Sequence, residues 1–126
     1  MKKLIFTVIF TLLHICVFAQ LQSVSVDEFE KQLLATKSEQ LIDVRTPQEF
    51  ENHRIIGAKN INFRSPEFRK EIEKLNKNKP VLIYCRAGVR SKSALEIFRE
   101  AGFKKVYELD EGINAWVKAG KPIAQN

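Results

Sequence analysis

The 126-residue sequence predicts an α/β layer fold built on a parallel sheet with right-handed crossovers. Three observations carry that expectation. Short apolar runs alternate with segments of helical periodicity along residues 22–126. Two of the runs, QLIDV (40–44) and PVLIY (80–84), suit strands buried between layers. No internal repeat, low-complexity tract or interdomain linker interrupts the pattern, which leaves one domain with one core.

The first segment stands apart from that pattern. Lys2 and Lys3 precede an apolar run from Leu4 to Phe18, and Val17-Phe18-Ala19 supplies small side chains at a cleavage site. This describes a secretory signal peptide over residues 1–19. The run is 15 residues long, whereas a membrane span needs about 18 or more, so a retained anchor is the weaker alternative. Ile15 before Cys16 is not the small residue that a lipid-attachment site wants. Cleavage after Ala19 leaves residues 20–126 as a single exported, periplasmic domain of 107 residues, touching membrane only through its signal peptide. Its formal charge falls from +6 to +4, and its basic residues are interleaved with acidic ones, as in RKEIEKLNKNK. That pattern is a solvated face rather than a nucleic-acid stripe. Cleavage also removes Cys16, so Cys85 has no partner for an internal disulfide, and an unpaired thiol in an exported domain needs a reason.

In the domain itself, Val24-Ser25-Val26 reads as a short extended piece. VDEFEKQLLA (26–35) follows as a helix, with Phe29, Leu33 and Leu34 on one face. After the strand at 40–44, Pro47 permits the first turn of a helix through PQEFEN. AKNINF (58–63) reads as a strand after Gly57. Ser65-Pro66 caps a helix continued by EFRKEIEKL. Beyond the strand at 80–84, a helix from about Ser91 to Ala101 turns Ala94, Leu95, Ile97 and Phe98 inward and stops at Gly102. KVYEL (105–109) is a last strand, and INAWVKA a last helix stopped by Gly120 and Pro122, with Trp116 in the core.

Ligands of such sheets sit beyond the carboxyl ends of the strands, and Cys85 immediately follows one. A thiolate, the nucleophilic form, is favoured by nearby cations and by a helix N-terminus. Arg86 and Arg90 flank the loop, Ser91 opens the helix, and Gly88 relieves the backbone where it must curl. The N–H groups of residues 86–91 (Arg86, Ala87, Gly88, Val89, Arg90 and Ser91) are expected to form an anion-binding nest around the sulfur. Asp43 and Arg45, at another strand end, should face the same rim, either bracing the loop as an ion pair or contacting substrate. His53 reads as an exposed turn residue.

VLIY followed by CRAGVRS resembles the active-site loop of the rhodanese family. LIDVRTPQEFENHRIIGAKNIN resembles the family's first signature and GFKKVYELDEGINAW its second, so the resemblance spans residues 23–122. A signal peptide on one such domain is similar to the periplasmic single-domain rhodaneses. Two departures stand out. His53-Arg54-Ile55-Ile56 occupies the place of Gly-His-Ile-Pro, and Glu111 precedes Gly112 where the family has paired glycines.

The resemblance implies a three-layer fold, with a central, mainly parallel sheet of about five strands flanked by helices. It also implies a sulfurtransferase of the thiosulfate (rhodanese) type. Cys85 would take a sulfane sulfur from a small anionic donor such as thiosulfate as a persulfide. Cyanide, a small thiol or a protein thiol would then accept it, with no metal or organic cofactor. Arg86 and Arg90 would steer the donor while the backbone cradle holds the persulfide. Two alternatives remain beside this one. A rhodanese-like domain can serve as a non-catalytic binding module. A cysteine-dependent phosphatase or arsenate reductase also sets Cys and Arg around a nest, but spaces them one residue further apart than Cys85 and Arg90.

Overall fold

The computed structural model describes residues 2–5, 7, 9, 11, 19–37 and 39–126; the centre of the expected signal segment, with Cys16, lies outside the described residues. The elements run β1 (Gln20–Val24), α1 (Val26–Ala35), β2 (Leu41–Asp43), α2 (Pro47–Asn52), β3 (His53–Ile55) and β4 (Lys59–Asn60). They continue α3 (Phe68–Ile72), β5 (Val81–Tyr84), α4 (Val89–Glu100), β6 (Lys105–Leu109), α5 (Gly112–Lys118) and β7 (Ile123–Gln125). Five strands form one sheet in the order β1-β6-β5-β2-β4, and every neighbouring pair is parallel.

Alternation along the strands builds the layers. Side chains two apart share a face, so Val81, Ile83 and Cys85 pack with Ile42, Val44 and Val106 against α3 and α4. Leu82 and Tyr84 point the other way, with Leu41, Tyr107 and Leu109, against Phe29 and Leu33 of α1 and Ile113 and Trp116 of α5. Both faces are therefore covered, and all four residues of the central β5 are buried. On the first face, edge-to-face contacts link Phe63 to Phe68 (5.4 Å), Phe68 to Phe98 (6.2 Å) and Phe98 to Phe103 (4.8 Å). Each such pair contributes about 0.5–1.5 kcal/mol beyond its burial. On the second, Trp116 is 1% exposed, meets Phe29 edge-on at 6.1 Å, and donates its Nε1–H to the Pro122 carbonyl at 2.9 Å.

Several local expectations are corrected. The first strand lies at Gln20–Val24 rather than 24–26, because the Ser25 hydroxyl is taken as the N-cap of α1, accepting the Glu28 N–H at 3.3 Å. Leu34 is 74% exposed. One helical turn separates Phe29 from Leu33, but the next residue is rotated by about 100° and leaves the buried stripe. The 58–63 strand is regular only at Lys59–Asn60, although the Ile61 and Phe63 N–H groups still bond to the Asp43 and Val44 carbonyls, both at 3.0 Å. Ser65 caps a turn by accepting the Glu67 N–H, and the helix itself starts at Phe68. Helix α4 begins at Val89, two residues ahead of Ser91. The antiparallel pair β3–β7 has no sequence signal, because three residues are too few to show periodicity.

Candidate active site

β5 delivers Cys85 at the carboxyl end of the central strand, and the chain turns through Arg86, Ala87 and Gly88 into α4. Gly88 holds φ +92°, and a Cβ there would collide with the Asp110 backbone carbonyl. Gly112 holds φ +66°, and a Cβ there would strike the carbonyls of Cys85 and Arg86. With that space open, the Ile113 and Asn114 N–H groups at the start of α5 donate to those carbonyls at 2.9 and 3.1 Å. The loop carbonyls are thereby drawn toward α5, and the Gly88 N–H is left to donate to Cys85 Sγ at 3.1 Å. Glu111 needs no glycine, because its φ is −106° and its side chain is exposed.

Cys85 is 1% exposed, and the second neighbour of its sulfur is the Ser91 hydroxyl, with Oγ 3.2 Å away. Of the expected ring of donors, Gly88 alone supplies a backbone N–H to Sγ among the described residues, and Ser91 contributes through its side chain. Beneath Ser91 lies Glu108, wholly buried. Its Oε2 accepts the Ser91 hydroxyl. Its Oε1 accepts the Ser23 hydroxyl at 2.6 Å and stands 3.4 Å from Lys92 Nζ. Sequence reading missed Glu108, although a carboxylate set between Tyr107 and Leu109, inside a strand of a sheet covered on both faces, was a legible signal.

Charge around the loop is distributed unevenly. The Arg90 guanidinium grips both oxygens of Glu49, at 2.7 and 3.0 Å. Those hydrogen bonds from Arg90 hold the Glu49 carboxyl well below its usual range, at about 2, against the opposing effect of burial. Hydrogen bonding to Glu49 likewise raises Arg90 above its ordinary value. Arg90 is therefore a neutralised cation. Arg86 is exposed and has no acidic partner among the described residues. It lines a cleft of about 170 Å³ together with Arg45, Glu49, Asn52, His53 and Asn114. Pockets for drug-sized ligands are about 300–1,000 Å³, so this one suits a small ion.

Asp43 and Arg45 form a brace beside it. Both are buried, with Arg45 Nε donating to the two Asp43 carboxylate oxygens at 3.0 Å and its terminal nitrogen to Oδ2 at 2.7 Å. That same nitrogen donates to the His53 carbonyl at 2.6 Å. Burial opposes the Arg45 charge, but the hydrogen bond and charge of Asp43 outweigh it and hold the guanidinium above its ordinary value. Tyr84 adds a second tie, its hydroxyl accepting the Ile55 N–H at 3.0 Å. Both bonds fasten β3 to the strand ends. His53 is consequently no exposed turn residue: it is half-buried in β3 and lines the cleft.

A sequence model of the rhodanese-like domain matches residues 25–119. The chain belongs to the rhodanese-like domain family. Among its rhodanese relatives, thiosulfate sulfurtransferase GlpE of Shewanella oneidensis is 34% identical over 88 residues, spanning 70% of this chain and 85% of that protein. A sulfurtransferase of Allochromatium vinosum is 32% identical over 97 residues, spanning 77% and 89%. The rhodanese-related protein from Thermoplasma volcanium superposes with a TM-score of 0.72 at 25% identity, covering 83% of this chain and 99% of that one. The rhodanese-like domain protein from Staphylococcus aureus gives 0.66 at 32% identity, covering 75% and 90%. The fold is the three-layer rhodanese arrangement, with its five-stranded parallel sheet between helices.

Proposed function

We propose that this domain is a rhodanese-type sulfurtransferase that carries sulfane sulfur on Cys85. One observation bears most of the weight: the one thiol among the described residues lies at the carboxyl end of the central strand, in a family whose named relatives include thiosulfate sulfurtransferases. The Cys85 thiolate attacks the outer sulfur of a donor such as thiosulfate, an S–S bond forms, and the departing sulfite keeps the electron pair of the broken donor bond. The Gly88 N–H and the first-turn N–H groups of α4, which a helix start leaves without intrahelical partners, hold the persulfide. Arg86, which has no acidic partner among the described residues, draws an anionic donor toward the small cleft that it lines. Cyanide or a thiol, on a small molecule or a protein, then removes the sulfur. The same reading places the reaction in the periplasm, where residues 1–19 direct the chain.

Incubation with thiosulfate should add one sulfur atom, about 32 Da, to the Cys85 peptide, and cyanide should remove it as thiocyanate. Cys85→Ser should abolish both events. Hydrolysis of an aryl phosphate without cyanide-dependent discharge would point to a phosphatase. A folded, reduced protein whose Cys85 stays unmodified across several sulfane donors overturns the proposal and leaves a docking module.

A further inference from the structure

The buried line Cys85–Ser91–Glu108 has a donor arrangement that constrains its protons. An ionised carboxylate only accepts, and a serine hydroxyl has one proton to give. Ser91 gives that proton to Glu108 Oε2, so the hydrogen between Ser91 Oγ and Cys85 Sγ, 3.2 Å apart, belongs to the thiol. The opposite arrangement is equally complete. If both protons shift one place, Glu108 is a neutral acid donating to Ser91, and Ser91 donates to a Cys85 thiolate. No solvent is needed, since Glu108 and Ser91 are wholly buried and Cys85 is 1% exposed.

We propose that Glu108 is the positioning residue that takes the Cys85 proton through the Ser91 hydroxyl when sulfur is loaded and returns it on discharge. The inference rests on Cys85 acting as the nucleophile. In loading, the two-proton shift leaves a thiolate, which attacks the sulfane sulfur, while the pair of the broken donor bond leaves with sulfite. The persulfide stays anionic and the proton remains on Glu108. In discharge, cyanide carbon bonds to the outer sulfur, the persulfide S–S bond breaks with its pair on Sγ, and Glu108 returns the proton through Ser91. The other Glu108 oxygen keeps Ser23 and Lys92 in either state. Of the other charges near the line, Lys92 pairs with Asp110 at 2.8 Å, Arg90 with Glu49, and Asp43 with Arg45, while Arg86, next to Cys85, is exposed and has no acidic partner among the described residues.

The test is the rate of Cys85 alkylation by iodoacetamide in the full chain, read on the Cys85 peptide from about pH 5 to pH 10, the span over which thiols titrate. A pair sharing one proton titrates in two macroscopic steps. The native protein should therefore show a pH-independent plateau, held by the internal thiolate, before a second rise. Glu108→Gln, nearly the same shape, should lose the plateau, falling about tenfold per pH unit below a single midpoint, and that midpoint should lie below the native second rise because a neighbouring negative charge is gone. Ser91→Ala should also lose the plateau but keep the upper rise in place, since Glu108 remains charged. A merely structural role would scale the rates without changing the shape of the profile. A single-step native profile, or a plateau that survives in both variants, overturns the proposal. A native plateau in a protein that accepts no sulfur would defeat sulfur transfer and leave the proton relay standing.

Discussion

At the scale of single residues, the site depends on two glycines for different reasons than a flexible loop would suggest. Gly88 and Gly112 both have positive φ and both abut backbone carbonyls, at Asp110 and at Cys85 and Arg86. Gly102 has a similar φ, +86°, with nothing near its missing Cβ. Gly88→Ala and Gly102→Ala therefore share the left-handed backbone cost of about 1–2 kcal/mol, but only the first adds a collision, worth about 1–3 kcal/mol more. Urea unfolding should show the larger loss for Gly88→Ala, and only that variant should lose sulfur loading on Cys85. Equal destabilisation with loading intact in both would mean that the loop tolerates a side chain at the sulfur. The positions of these glycines were legible in the sequence as punctuation after a strand and before a helix. What each glycine avoids was not, because the colliding carbonyls belong to distant segments.

At the scale of elements, α2 is fastened to α4 through one carboxylate. Glu49 completes the capping box of α2 with Thr46 and also holds Arg90. Its carboxyl lies at about 2 in the folded chain, chiefly through the Arg90 hydrogen bonds, against an ordinary value of 4.5. A depressed folded value means that the pair stabilises fully above the ordinary value and that this contribution fades as pH falls from there through about 2. Unfolding midpoints measured across that acidic window should drop more steeply for the native protein than for Glu49→Gln, and parallel slopes would sink the argument. The two arms of the pair should also separate in kinetics. Glu49→Gln frees the Arg90 charge and should lower KM for thiosulfate, whereas Arg90→Ala leaves an unpaired carboxylate at the cleft and should raise it. Each change should be about two- to fivefold, the scale of a partly exposed ion pair.

At the scale of the whole molecule, the sheet begins where the expected signal ends. β1 starts at Gln20, whose N–H bonds to the Lys104 carbonyl at 2.7 Å, and its five residues pair in register with β6 from Lys105 to Leu109. A cut after Ala19 keeps this edge strand whole, while a cut several residues later would strip pairing from β6 and remove Ser23 from Glu108. Expression with the native N-terminus in a Gram-negative host should give periplasmic protein whose intact mass corresponds to residues 20–126. An uncleaved mass, or recovery only with membranes, would defeat export by cleavage.

The sequence by itself determined the features that rest on neighbouring residues. The apolar run at 80–84, the first turn of α2 at Pro47, the Gly102 stop of α4 and the placement of Cys85 at a strand end all follow from local periodicity and capping. Tertiary structure decided what those elements do to one another. Arg90 read as a free cation beside the thiol, but Glu49, 41 residues away, neutralises it. Glu108 read as part of an ordinary strand, but parallel pairing sets it opposite Ile83, two residues before Cys85, and beneath Ser91. Ser23, 85 residues from Glu108, completes its partners only because β1 lies beside β6. Strand register and helix placement settle these pairings through burial on both sheet faces, a property of the packed layers that no short window of residues expresses.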